Sequence, residues 1–203
     1  LRDVYKRQVY RSDKEGIAGE SITCLLPVKN MGGFRICPWS NKENIAYAVL
    51  YLSGQEIDWK DEVHEDGSMI YFGDQREPNK DIHDTPLGGN RFLFEIHKLY
   101  QDGNRESVPP MFVFTKAWSG HDRKFLGLAV LSDDIQQLES ITVSTPEGDI
   151  SNYKVKLRLL ESEIIKKEWL RDIESGKNDS VYTPIEFKQW RSAETKYPPY
   201  KPV

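Results

Sequence analysis

Short apolar runs separated by polar turns dominate this chain. Ser21–Val28, SITCLLPV, reads as a strand whose Pro27 puts its end at a sheet edge. KNMGGFRICPW then supplies a Gly-Gly turn and a further short apolar run. Ile45–Gly54, IAYAVLYLSG, is almost continuously apolar, and it is too short and too rich in β-formers for a helix. The polar stretch QEIDWKDEVHEDGS carries a DGS turn and leads into a strand over MIYF. The period changes after Gly88-Gly89-Asn90. Phe92, Leu93, Ile96, Leu99 and Tyr100 recur at helical spacing, Asn90 can cap the start and Gly103 can end the helix.

PPMFVFTKAW and RKFLGLAVL predict two strands joined by the loop SGHD, and ITVSTPEGDISNYKVKLRLLE predicts another pair around Pro146-Glu147-Gly148. A helix over ESEIIKKEWLRDIESG puts Ile164, Ile165, Trp169, Leu170 and Ile173 on one face, and a Pro-rich stretch, YPPYKPV, closes the sequence. There are no internal repeats. Many strands around one interior helix predict an α+β fold: a strongly curved, mostly antiparallel sheet or open barrel, with a central helix and a C-terminal helical extension.

The 203 residues, 38% hydrophobic and 30% charged, suit one domain with a small extension. No apolar run approaches the roughly 20 residues that span a bilayer, and the charged start shows no signal peptide. Cys24 and Cys37 lack CxxC spacing and read as buried free thiols in a reducing cytoplasm. The octapeptide LRDVYKRQ resembles a segment that recurs at the ends of translated metagenomic contigs. That gives a division into residues 1–8 outside the fold, a domain over 9–160, and a helical, Pro-rich linker over 161–203. The net charge of −4 argues mildly against a general nucleic-acid coat. Acids outnumber bases between residues 61 and 100, while 101–203 is close to balanced, so a basic face remains compatible with the total.

The run AYAVLYLSGQEIDWKDEVHEDGSMIYFGD, followed by GGN, VPPMFVF and FLGLAVL, resembles the SET- and RING-associated (SRA) fold. More closely, it is similar to the N-terminal recognition domain of modification-dependent restriction endonucleases of the MspJI and AspBHI type. The resemblance runs from about residue 20 to the end, where KKEWLRDIESG and PIEFKQW look like the segment joining this domain to a nuclease. It implies an SRA/PUA-like module of a prokaryotic defence enzyme. Such a module flips 5-methyl- or 5-hydroxymethylcytosine out of double-stranded DNA for a fused nuclease, which would also be the route to homo-oligomers.

The residues carry the chemistry such a reader needs. A flipped base needs aromatic faces to replace its lost stacking and an acid to accept from the cytosine amine. Trp59, Asp61, Glu62, Tyr71, Gly73 and Asp74 supply that set between the DWKDE and YFGD motifs. The resemblance favours Trp59 and Tyr71 as the clamp, with the acid open among Asp61, Glu62 and Asp74. Taken singly, each has a plainer reading. A Trp and a Tyr on strands are more often core residues, an Asp after Gly more often a turn-former, and the acids of DEVHED more often a solvated loop.

Phosphate contacts need cations or N–H donors on loops. The candidates are Lys29, Asn30, Arg35, Arg76, Lys80, Arg91, Arg123 and Lys124, with Met31 or Gln75 to fill the gap in the stack; any one of these cations is singly more often a solubilising charge. Other chemistry finds less support. Glu77 and Lys80 stand one residue too far apart for a PD-(D/E)xK nuclease, and the four histidines make no zinc-ligand spacing with the cysteines. Neither a GxSxG elbow nor a Walker loop occurs. The chain is therefore expected to act without metal or cofactor and without catalysis of its own. A reader of RNA or phosphorothioate DNA on a related β-barrel, a metal-dependent nuclease, and an interaction module using IIKKEWLRDI remain as rivals.

Overall fold

The computed structural model describes residues 1–12, 20–29, 32–38, 40–41, 44–54, 58–118 and 120–193. Its centre is a mixed sheet whose interior strands are β4 (Ile45–Leu52), β7 (Met111–Lys116), β8 (Arg123–Leu131) and β10 (Gly148–Leu159). β3 (Phe34–Pro38) pairs with β4 at one end of the sheet. β6 (Ser68–Phe72) and β5 (Glu62–Val63) follow β10 at the other end. β9 (Leu138–Thr145) pairs with the first part of β10, and β2 (Val9–Tyr10) with the start of β8.

β4 and β7 run parallel, with Ala48 opposite Met111 and Leu52 opposite Thr115. A parallel pair needs a crossover, and that crossover carries β5, β6 and the helix α2 (Gly89–Gln101). β4 and β7 are buried along most of their lengths, as strands covered on both faces are. Helices α3 (Lys167–Glu174) and α4 (Ile185–Arg191) contact β4 and β8, respectively, and α2 contacts β9 and β10.

Three expectations are corrected. The sheet is open and neither closes nor curls strongly, so it is no barrel. Closure requires pairing of the end strands. β5 is only two exposed residues long, while β3 ends at a bulge before Pro38, which has no N–H to donate. SITCLLPV is not a strand: Ser21–Leu25 forms helix α1, placing Ile22 and Leu25 in the core at helical spacing. Ile164–Ile165 lies outside the helix as strand β11, paired with β1 (Val4–Tyr5).

The two ends of the chain pack into the same body. Val4 is fully buried opposite Ile165, and Asp3 Oδ1 accepts the Lys167 N–H at 2.9 Å. Trp169, Phe187 and Trp190 belong to the core, with Trp169 6.1 Å from the Phe112 ring. The expectation of two buried thiols holds for Cys37 but not for Cys24, which lies exposed on the short helix α1; both are free. Among the described residues no helix is long and apolar enough to cross a membrane. None of their His, Cys, Asp and Glu side chains gather in threes to hold a metal ion.

Candidate functional site

A cavity of about 510 Å³ opens where β6 runs out, and its lining includes Asp61, Tyr71, Phe72, Gly73, Asp74 and Arg76. The backbone there is held from two sides. Gly73 N–H donates to the Tyr153 carbonyl at 2.8 Å, and Asn152 Nδ2 donates to the Gly73 carbonyl at 3.1 Å. A Cβ on Gly73 would overlap Asn90 Oδ1 and come within 2.6 Å of Asn152 Oδ1. Glycine is thus needed here for the approach of two asparagines.

Asp74 is tied to helix α2. Its Oδ2 accepts the Gly89 N–H at 3.0 Å and its Oδ1 the Asn90 N–H at 2.9 Å. The helix's own N-cap residue, Gly88, has no side chain and sits at φ 71°. A carboxylate from a neighbouring strand therefore satisfies the orphan donors and meets the positive end of the helix dipole. Asn90, the expected cap, instead accepts Asp74 N–H at 3.0 Å and donates to the Ile82 carbonyl at 2.7 Å.

Asp61 stands on the cavity wall with Oδ1 accepting the Phe72 N–H at 2.9 Å. Tyr71 is 4% exposed; burial, then the negative charges of Asp61 and Asp74, drive its phenol far above the usual tyrosine range, so it stays neutral. Trp59 is not among the lining residues. Its ring lies 5.8 Å from that of Phe72, and it is buried. Glu62 is exposed on β5, 3.6 Å from His64.

Elsewhere the lining contains a buried ionic cluster. Glu20 accepts from both Arg35 Nη1 and Nη2, the latter at 2.9 Å, and from Arg123 Nε at 3.0 Å. Both guanidinium groups lie over the Tyr51 ring, at 5.7 Å and 4.6 Å. Burial opposes the charge on Glu20, but the hydrogen bonds and charges of the two arginines outweigh it and hold the carboxyl below its usual range. One carboxylate against two guanidiniums leaves this wall net positive.

The other anticipated DNA contacts fall in different surroundings. Arg35 and Arg123 are buried in that cluster rather than open on a rim. Gln75 is also buried: its amide donates to the carbonyls of Asp81 at 2.7 Å and Asp84 at 3.0 Å, so it is no loop wedge. Arg76 is exposed at the cavity, with Nη1 donating to the Gly73 and Gln75 carbonyls at 2.8 Å each. Lys29, Lys80 and Arg91 are exposed, Lys80 standing 3.9 Å from Asp84, while Lys124 is half-buried on β8. Asn30 and Met31 lie outside the described residues.

Glu20, Phe34, Tyr51, Phe72 and His121 line the cavity without having been anticipated. One cue was available. Arg35 and Arg123 sit within the runs FRIC and RKFL, and an arginine among buried strand positions calls for a buried acid.

The fold has structural counterparts among solved structures. "DNA modification-dependent restriction endonuclease AspBHI" superposes with a TM-score of 0.88 at 29% identity, over 99% of this chain and 95% of that one. "DNA recognition domain of the cytosine modification-dependent restriction endonuclease LpnPI" gives 0.83 at 25% identity, covering 99% and 92%. "MspJI Restriction Endonuclease in Complex with 27-mer Oligonucleotide" gives 0.72 at 18% identity, a likeness of fold, over 100% of this chain and 55% of that one. A search of curated protein sequences gives no match. Residues 5–201 match the family described as "Restriction endonuclease AspBHI N-terminal", and the chain belongs to that family.

Proposed function

We propose that this chain is the DNA-recognition module of a modification-dependent restriction endonuclease, and that it draws a modified cytosine out of duplex DNA into the 510 Å³ cavity. Family membership and the described functions of the AspBHI and LpnPI proteins support the DNA-reading role. The observation that carries the site is that Tyr71 and Asp61 both line this cavity where β6 ends, with Asp61 held on the Phe72 N–H. Its volume lies within the range of about 300–1,000 Å³ common for small-ligand pockets, ample for one nucleotide.

The roles follow from the geometry. Tyr71, whose phenol lies beside the lining residues Asp61 and Asp74, offers ring surface in place of lost stacking, while Phe72, next along β6, points to the other face of the strand and meets Trp59. Asp61 is the acceptor for the cytosine N4 amine. Its Oδ1 accepts the Phe72 N–H, which fixes the carboxylate's orientation on the cavity lining. Asp74 holds α2 in place and Glu62 points to solvent, so neither takes that role. Cleavage falls to a nuclease domain, and the module works in the cytoplasm on double-stranded DNA.

Binding to matched duplexes carrying cytosine, 5-methylcytosine or 5-hydroxymethylcytosine tests the reading. At least one modified duplex should bind more tightly than the plain one. Equal affinities for all three would remove the claim.

A further inference from the structure

The chain reverses between β7 and β8, and among the described residues of that connection, 117–118 and 120–122, one side chain stands almost wholly in solvent. Trp118 is 85% exposed. The turn beneath it is pinned. Ala117 N–H donates to the Asp122 carbonyl at 3.1 Å, and Arg123 Nη1 donates to the carbonyls of Gly120 and Asp122 at 3.1 Å and 2.9 Å. Asp122 Oδ1 accepts the Ser12 N–H at 2.8 Å. An exposed apolar side chain by itself means little; its position gives this one weight. His121 and Arg123, from the same turn, line the cavity. Three residues of chain span at most about 11 Å, so the Trp118 backbone lies within that distance of a cavity-lining residue.

Charge points to the same partner. Lys116 is exposed at the end of β7 and pairs across the strands with Arg123, a cavity-lining residue, so it projects from the same face of the sheet. An aromatic plate near a cation is an arrangement that stacks on a nucleic-acid base while holding a phosphate beside it. Extruding a base leaves its neighbours unstacked, and a planar group entering the gap recovers that contact. Gln75, whose amide is bonded inside the protein, cannot supply such a group.

We propose that Trp118 enters the base stack of the duplex next to the extruded nucleotide and fills the gap, restoring the stacking that the neighbouring base has lost. This rests on the reading that DNA delivers a base to the cavity. Removing the indole leaves the fold intact, because the ring is in solvent, and weakens the complex by the value of one stacked base, about 5- to 150-fold.

The test uses the 203-residue chain and a duplex with one 5-methylcytosine followed by thymine, beside its unmodified match. Parent, Trp118→Phe and Trp118→Ala are compared for thermal stability, affinity, and permanganate oxidation of that thymine, which reports an open stack. The expected result is unchanged stability in all three, near-parent affinity for Trp118→Phe, and a 5- to 150-fold loss for Trp118→Ala with a more reactive thymine. If Trp118→Ala binds like the parent while the parent still prefers the modified duplex, this inference is overturned and the base-reading role stands. If the parent shows no preference, both fall. Unaltered DNA binding with a changed sedimentation coefficient would make Trp118 a protein contact and likewise overturn the inference.

Discussion

Asp74 and Asn90 hold each other's backbones: Asp74 Oδ1 accepts the Asn90 N–H at 2.9 Å while Asn90 Oδ1 accepts the Asp74 N–H at 3.0 Å. This reciprocal pair joins the end of β6, which walls the cavity, to the first turn of α2. Asp74→Ala removes an N-terminal cap and leaves the Gly89 and Asn90 N–H groups unmet, a loss of about 1–3 kcal/mol in urea denaturation. Because the cavity wall loosens with it, affinities for modified and unmodified DNA should fall together. A selective loss for modified DNA at unchanged stability would mean that Asp74 touches the base after all.

Gly89 offers a test in which propensity and packing disagree. Inside a helix, alanine is favoured over glycine by about 1 kcal/mol. Here a Cβ would stand 2.7 Å from Asp74 Cγ, so the carboxylate must leave its place over the helix N-terminus. Gly89→Ala is therefore expected to destabilise the protein by about 1–3 kcal/mol, the scale of overpacking. A raised melting temperature would show that Asp74 caps the helix less tightly than its distances indicate.

Elements with a strong local period were legible in the sequence. β4, β6, β7, β8, β10 and α2 all follow from their apolar patterns, because burial on a strand or a helix face is written at fixed spacing. SITCLLPV failed because an apolar run of that length carries no period of its own. The openness of the sheet depends on pairing at its ends, set by the shortness of β5 and the bulge at Pro38. Tyr71 and Asp61 were singled out by the chemistry a reader requires, and both line the cavity. Glu20 was not, because its importance comes from two arginines brought to it by distant strands, at positions 35 and 123.

That cluster makes stability depend on acid. Glu20 has its carboxyl held below the ordinary glutamate value of 4.5, so its contribution is complete above that value and is lost as pH falls through the lower, folded one. Glu20→Gln leaves Arg35 and Arg123 buried without their counter-charge, at a cost of about 3–5 kcal/mol near neutral pH. Denaturation series from pH 7 down to pH 3 should show the variant and parent curves converging at the acid end. A constant gap across that range would assign the cost to packing rather than to charge.

Asp61→Asn separates base recognition from fold. The amide oxygen can still accept the Phe72 N–H, so the end of β6 keeps that tie, and urea denaturation of the variant measures any cost to the fold separately. The charged acceptor facing the cavity is lost, and with it about 1–3 kcal/mol of preference for the correct base. Affinity for modified duplex should fall accordingly while affinity for plain duplex holds. If both fall equally, Asp61 serves the scaffold alone.

Arg91 separates phosphate contact from base reading. It is exposed in the first turn of α2, where a cation opposes the helix dipole, so Arg91→Ala should leave the fold as stable as before or slightly more so. Arg35 and Arg123 do not permit this experiment, since each is buried on Glu20. If Arg91 neutralises one phosphate, its removal lowers the slope of log K against log salt by about 0.9. It should also weaken modified and plain duplex by the same factor, because a phosphate contact carries no base information. Titrations at several salt concentrations decide the matter. An unchanged slope would place Arg91 outside the DNA footprint, and a loss confined to modified duplex would bring α2 up against the extruded base.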